Sequence, residues 1–246
     1  MTPLHEMAAR GFAQSAEAYE LGRPGYPAAA LDPLVLSPDL VVLDLAAGTG
    51  KLTRPLAASG ATVVAVEPVA EMRAALPDSV RALDGTAEGI PLEDAAVDLV
   101  TVAQAFHWFD GDAALREIHR VLRPNGRLAL VWNRRVEDAE VNVAIDELLS
   151  PHRSGTPTHA NDAWRAAFER TTLFGPLHEH VCASEQVLDE DGLAARICSI
   201  SFVACLPQLE RVRVLVRARE LVSEGRVTIP YRTEVQVCER LDVEPA

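Results

Sequence analysis

The segment Val41-Val42-Leu43-Asp44-Leu45-Ala46-Ala47-Gly48-Thr49-Gly50 constrains this chain more than any other stretch. A run of β-branched and aliphatic residues carries an acid near its end, then gives way to two alanines and a Gly-Thr-Gly turn. A short apolar run bounded in this way reads as a buried parallel strand. The glycines permit a tight turn and a close approach of backbone to a ligand. The segment that follows, Lys51 to Ser59, reads as a helix whose first turn offers N–H groups without helical partners. Strand, turn and helix together make the crossover of a doubly wound α/β sheet, where ligands bind at the carboxyl ends of the strands.

A nicotinamide-binding loop is also rich in glycine, but two details separate it from this one. The dinucleotide fingerprint carries a third glycine for helix–strand packing and no acid before the first. Here Gly48-x-Gly50 runs into Lys51-Leu52-Thr53, and Asp44 stands at the strand end. A carboxylate there repels a pyrophosphate and suits a cationic group, such as the α-ammonium of an amino acid.

Four further stretches stand in order behind the first: Val66-Glu67-Pro68, Gly85-Thr86-Ala87-Glu88-Gly89-Ile90-Pro91, Gln104-Ala105-Phe106-His107-Trp108-Phe109 and Arg120-Val121-Leu122-Arg123-Pro124-Asn125-Gly126. With Leu43 to Gly50 they resemble the class I S-adenosylmethionine-dependent methyltransferases, in the small-molecule branch that contains the trans-aconitate and ubiquinone-biosynthesis enzymes. The strong likeness runs from about Leu40 to Trp132 and is weaker over Tyr19 to Pro27 and the C-terminal third. The resemblance implies a Rossmann-like α/β fold with a seven-stranded, mostly parallel sheet in the order 3-2-1-4-5-7-6 and helices on both faces. It implies S-adenosyl-L-methionine as methyl donor, held by Asp44, Ala46, Gly48, Gly50, Glu67, Pro68, Met72, Thr86, Ala87, Gln104 and Ala105. Relatives carry Asp or Asn where Thr86 stands, which leaves the backbone N–H of Ala87 as the more secure adenine contact. The resemblance also makes Tyr19, Arg23 and Tyr26 part of a lid that closes over the donor, with Tyr19 and Arg23 toward the cofactor carboxylate or the acceptor. On this reading the chain is one methyltransferase domain over 1–246: a lid segment at 1–35, a cofactor-binding core at 40–132, and substrate-side helices and final strands at 133–246.

The residues themselves support much of this organisation. A helix containing Phe12, Tyr19 and Leu21 is predicted to end at Arg23-Pro24-Gly25-Tyr26-Pro27, because two prolines and a glycine do not continue one. That segment reads equally as a structural turn packing Tyr26 on the sheet. Thr62 to Val66 reads as a second strand, and Glu67 lies 23 positions after Asp44, close to the spacing of an acid that takes both hydroxyls of a ribose. Met72 either lines the adenine pocket or belongs to the core. Val80 to Leu83, Val97 to Val102 and Arg127 to Trp132 read as further strands, with Asp98 as a structural acid. Asp110 or Asp112 caps the next helix, whose buried stripe is Leu115, Ile118 and Leu122. Later elements are predicted at Val141 to Leu149 (helix), Trp164 to Phe168 (helix), Gly175 to Leu188 (strand), Asp191 to Cys205 (helical), Pro207 to Glu224 (helix with Leu209, Val212, Leu215, Val216 and Leu221) and Val227 to Val237 (strand). Arg211, Arg213, Arg217 and Arg219 read as a solvated surface.

His107 and Trp108 follow the fourth strand, on the same sheet edge as Asp44 and Gly48. Histidine titrates near neutral pH, so His107 is the one group placed to act as a base. Positioning or packing beside Trp108, a candidate wall of the acceptor site, suits it as well. Lys plus Arg total 23 against 36 Asp plus Glu, and the net charge of −13 argues against nucleic-acid or anionic-membrane partners. No Asn/Asp-Pro-Pro-Tyr/Phe motif follows the fourth strand. A small-molecule acceptor, a carboxylate or a hydroxyl compound, is therefore expected, with a monomer or homodimer in the cytoplasm. No metal is expected: the four cysteines form no Cys-x-x-Cys pair and read as buried thiols, and His152 and His159 have neither ligand spacing nor nearby acids. The chain lacks a basic start followed by an apolar run, and no stretch of about 18 apolar residues suggests a membrane span. The competing reading is a non-catalytic S-adenosylmethionine-binding protein of the same fold.

Overall fold

The computed structural model describes residues 20–152 and 164–242, so Phe12, Tyr19 and His159 lie outside the described residues. Its strands are β1 (Val41–Leu45), β2 (Thr62–Val66), β3 (Arg81–Leu83), β4 (Val97–Ala103), β5 (Leu122–Arg135), β6 (His178–Leu188) and β7 (Val227–Glu239). They form a seven-stranded sheet in the order β3-β2-β1-β4-β5-β7-β6, the order that the resemblance implies. From β3 through β5 every neighbouring pair is parallel. The helices are α1 (Thr53–Ala58), α2 (Ala70–Arg73), α3 (Gly111–Val121), α4 (Glu140–Leu149), α5 (Arg165–Arg170), α6 (Glu190–Cys198), α7 (Ser201–Ala204) and α8 (Gln208–Arg219).

The described residues fall into two compact units. One comprises 26–132, 164–182 and 233–242. In it, side chains alternate across β1 as a strand requires. Leu43 and Leu45 pack with Val100, Val102 and the α3 residues Leu115 and Ile118. Val42 turns the other way, against Leu99 and the α1-side residues Leu52 and Leu56. Parity therefore sends Asp44, two residues on from Val42, to the α1 side. Tyr26 is half-buried and packs against this second cluster. Asp110 is the α3 cap, its Oδ1 accepting from Ala113 N at 3.1 Å. Asp98 is structural: its Oδ2 accepts from Val41 N and from Arg123 Nη1, each at 2.8 Å. β5 is longer than the sequence suggests. While β4 advances from Val97 to Leu99, β5 advances from Leu122 to Arg127, so Pro124-Asn125-Gly126 bulges within a strand that already pairs at Leu122.

The other unit comprises 20–25, 133–152 and 183–232. Ile145, Leu149, Leu193, Ile197, Val214, Ala218, Ile229 and Tyr231 form its core. On α8 the buried positions are Val214 and Ala218, one turn apart, whereas Leu209, Val212 and Val216 are 66%, 49% and 50% exposed. Two sequence expectations are corrected. His152 has an acid beside it, with Nδ1 3.1 Å from Glu210 Oε1. Of the cysteines only Cys238 is buried; Cys182 and Cys198 are half-buried and Cys205 is exposed, all as free thiols.

Residues 20–22 are helical and end flush against α6. A Cβ at Gly22 would lie 2.3 Å from Arg196 N and 2.4 Å from Ala195 C, both backbone atoms that cannot step aside. Gly22→Ala is therefore expected to lower stability by about 1–3 kcal/mol through overpacking, seen as a fall in the thermal midpoint. An unchanged midpoint would mean that this approach is looser than described.

Candidate functional site

The register places the candidate residues along one sheet edge. Leu45 pairs with Val66 on one side and with Val102 on the other, so β1, β2 and β4 end level. Ala46, Glu67 and Gln104 emerge just beyond these ends. Ala46 and Gln104 hold left-handed backbone, at φ 56° and 58°. Side chains with a Cβ carry strain there, and such strain concentrates at functional turns. Gln104 is fixed by its N–H, which donates to Val131 O at 2.9 Å.

The turn after β1 uses its glycines in different ways. Gly48 sits at φ 58°, and a Cβ there would find only Met72 Sδ, at 4.0 Å. Space therefore lies open above its backbone, with the buried Met72 at one side. Gly50, at φ 89°, packs instead: a Cβ would meet Leu76 at 3.0 Å.

Two carboxylates lie beneath this turn. Asp44 is 1% exposed. Its Oδ2 accepts from Thr53 Oγ1 at 2.5 Å and its Oδ1 from Thr101 Oγ1 at 3.0 Å. Burial raises its pKa from 3.8 to about 6; the two hydroxyl bonds oppose that rise, and Glu67 adds to it. Glu67 is 4% exposed and is held by backbone: Oε2 accepts from Gly48 N and Oε1 from Val69 N, each at 2.9 Å. Burial raises its pKa too, against those bonds and the nearby Arg73 guanidinium. Arg73 donates from Nη1 to the Glu67 carbonyl at 2.6 Å and pairs with Asp84 at 3.4 Å. Each Glu67 oxygen has one lone-pair direction left for a ligand hydroxyl.

Farther along the edge, Pro68 is exposed, Thr86 half-buried and Ala87 buried. Gly89 N donates to Thr86 O at 3.3 Å, which closes a turn around Ala87. Ala105, His107 and Trp108 are half-buried, the latter two in the short 3₁₀ turn Phe106–Trp108. The His107 ring lies 4.8 Å from that of Trp108 and 5.7 Å from that of Trp132. Trp132 in turn lies 5.3 Å from Trp164. In the other unit, Arg23 donates from Nη2 to Ser199 O at 2.8 Å, and Asn133 Nδ2 donates to Gly25 O at 3.0 Å.

Sequence reasoning missed Thr53, Thr101, Trp132 and Trp164. Thr101 carried a signal: it is the lone hydroxyl in the aliphatic run Val97–Ala103, and it pairs in register with Asp44. Trp132 stands next to Val131, which pairs with Ala103. Among the described residues no group of three or more His, Cys, Asp or Glu could hold a metal ion, and no helix is long and apolar enough to cross a membrane.

Residues 43–130 match the family described as a methyltransferase domain. An uncharacterised methyltransferase of Mycobacterium tuberculosis is 41% identical, over 93% of this chain and 94% of its own length. The ubiquinone/menaquinone biosynthesis C-methyltransferase of Rubrivivax gelatinosus is 44% identical over a shorter stretch, 35% of this chain and 36% of its own. Among solved structures, a type II methyltransferase assignment from Anaeromyxobacter dehalogenans superposes with a TM-score of 0.67 at 24% identity, covering 87% of this chain and 97% of that one.

The buried state of Asp44 sets a pH dependence. An acid whose folded pKa lies above its unfolded value binds more protons when folded, so its contribution favours the fold below about pH 3.8 and is lost as pH rises to about 6. The shift from 3.8 to about 6 corresponds to about 3 kcal/mol. Asp44→Asn is expected to remove this term, so that its thermal midpoint gains on wild type as pH rises from 4 to 7. Asp44→Ala leaves both threonine hydroxyls without their acceptor and is expected to be less stable than Asp44→Asn at every pH. Parallel melts of wild type and Asp44→Asn across pH 4–8 decide the matter, and curves of constant separation contradict it.

Proposed function

The chain belongs to the class I S-adenosylmethionine-dependent methyltransferases, and from that premise we propose that it transfers the methyl group to a small-molecule acceptor, in the cytoplasm and as one methyltransferase domain. The observation that carries the proposal is the level edge of β1, β2 and β4. There an open Gly48 backbone, a backbone-held Glu67 and a buried Asp44 stand side by side.

The residues present fit the donor. Asp44 supplies negative charge for the α-ammonium, directly or through the polar groups around it. Glu67 keeps acceptor capacity for both ribose hydroxyls, and Gly48 lets backbone approach closely because no side chain occupies that space. The adenine falls to Met72, Pro68, Thr86 and the Ala87 N–H, and the methionyl end to Ala46, Gln104 and Ala105. When bound, the donor's sulfonium supplies an electrophilic methyl group. The protein's part is then to align the acceptor and exclude water. Arg23 and Tyr26 serve the lid in this proposal, with Tyr19 preceding them in sequence.

His107 acts by position. Its ring lies against the indoles of Trp108 and Trp132, which orient it beside the strand end. Trp108 walls the acceptor side, where an indole face also favours a cation by about 0.5–2 kcal/mol.

Titration with S-adenosylhomocysteine is expected to show binding, and NADH to bind far more weakly. Glu67→Gln is expected to weaken S-adenosylhomocysteine by about 1.5–3 kcal/mol, the value of hydrogen bonds to a charged group. Calorimetry without heat at millimolar ligand would sink the proposal. For His107, S-adenosylhomocysteine release is first screened over a panel of carboxylic acids and phenols. With a responding acceptor, His107→Gln is expected to raise KM and to leave maximal turnover within about tenfold of wild type, on the same pH profile. A loss of about 10²–10⁴ at saturation, with a changed profile, would make His107 a general base instead.

A further inference from the structure

The two threonines that hold Asp44 hold it in different ways. All three residues lie in the unit made of 26–132, 164–182 and 233–242. Thr53, on α1, and Thr101, on β4, are both 0% exposed. Thr53 Oγ1 donates to Asp44 Oδ2 at 2.5 Å. Thr101 Oγ1 has two acceptors in reach of its single hydrogen: Asp44 Oδ1 at 3.0 Å and Leu43 O at 3.4 Å. A hydroxyl carries one hydrogen and turns to suit its neighbours. With Asp44 ionised, the shorter bond to Oδ1 takes that hydrogen. With Asp44 protonated, the carboxyl is itself a donor; Thr101 Oγ1 accepts from it, and the Thr101 hydrogen turns to Leu43 O. Thr101 therefore satisfies the buried acid in both protonation states without moving a heavy atom.

Burial presses Asp44 toward the neutral form, and its pKa of about 6 leaves it half protonated near that pH. Glu67, at the end of β2, presses the same way. The other charges at this turn are Lys51 just ahead of α1, Arg54 on α1 with its guanidinium near Gly50, Arg73 on α2 and Asp84 after β3. Arg73 and Asp84 bear on Glu67. The open space above the Gly48 backbone belongs to the same turn. A cation arriving there lowers the pKa of a nearby carboxylate by about 1–3. In a low-dielectric interior it acts without touching the oxygens.

We propose that Thr101 is the positioning residue of a proton switch in the donor site, through which Asp44 releases a proton when the donor's α-ammonium binds. The inference rests on the methyltransferase reading, which brings that ammonium to the Asp44 end of the edge. The O–H bond of the carboxyl breaks, its electron pair stays on Oδ1, and the proton passes to solvent. The Thr101 hydrogen turns back from Leu43 O to Oδ1, while Thr53 donates in both states. Because the ammonium favours the ionised acid, donor affinity is full above the Asp44 pKa and is lost as pH falls through it.

The test is calorimetry of S-adenosylhomocysteine on the full chain from pH 5.5 to 8, in buffers of different ionisation enthalpy, which counts released protons. Wild type is expected to release about half a proton at pH 6 and almost none at pH 8, and to bind about fourfold more weakly at pH 5.5 than at pH 8. In Thr101→Val the ionised acid loses a hydroxyl, so the release profile is expected to move up by about one pH unit. Its affinity at pH 8 should stay within about threefold of wild type. Thr101→Ser keeps the hydroxyl and is expected to follow the wild-type profile. A threonine that served packing alone would change the thermal midpoint and leave the release profile in place. Asp44→Asn has no proton to give, so release should vanish at every pH. Glu67→Gln should still release protons at the acid end of the range. No release by wild type, an unmoved profile in Thr101→Val, or release that survives Asp44→Asn overturns the inference. Failure of wild type to bind S-adenosylhomocysteine at any pH would instead strike the methyltransferase reading on which the inference rests.

Discussion

Two carboxylates that share a level strand edge govern the site. Asp44 is drawn under α1 by strand parity, and Glu67 is drawn inward by the N–H groups of Gly48 and Val69. Neither is a surface charge; both are buried and both have raised pKa values. Thr53 and Thr101 hold one, and the backbone of two turns holds the other. The turn after β1 and the turn after β2 are thus tied through a single side chain. Removing negative charge from this pair relieves the interior and deprives a cationic or hydroxylated ligand of its partners. The site is set against the stability of the free protein, as binding sites commonly are.

The backbone repeats that opposition. Ala46 and Gln104 adopt left-handed conformations directly beyond adjacent parallel strands, where glycine would sit without strain. Side chains that accept such geometry are held by their surroundings, in the case of Gln104 by the N–H bond to Val131. Strain at the ends of β1 and β4, with burial of charge between them, marks the edge of the sheet as the working face.

Much of this was legible in the sequence, and what was not has a common cause. The aliphatic runs of β1, β2 and β4 and the turn glycines act locally, so strand order and the placing of Asp44, Gly48 and Glu67 follow from pattern and resemblance. Thr101 as a partner of Asp44 depends on register between strands far apart in sequence. The stacking of His107 on Trp132 depends on the same kind of pairing. The strand read at Arg127 to Trp132 begins instead at Leu122, ahead of the bulge at Pro124-Asn125-Gly126, because nothing local says that Leu122 already pairs with Val97. Arg196 sits among ordinary helix residues, and its bond to the Tyr231 hydroxyl and the approach of Gly22 to its backbone join segments far apart in sequence. On α8 Val214 and Ala218 are buried and Leu215 packs beside them, while Leu209, Val212 and Val216 stay exposed, a division that the aliphatic residues alone do not reveal.

That exposure on α8 bears on how the molecule behaves in a crowded solution. Leu209, Val212 and Val216 present apolar surface to water, and the net charge of −13 at neutral pH keeps neighbouring copies apart. Near the isoelectric point of about 5.0 that repulsion vanishes while the apolar surface remains. Colloidal stability is therefore lent by acids scattered over the whole surface, and mild acid or strong salt withdraws it before the fold itself is touched.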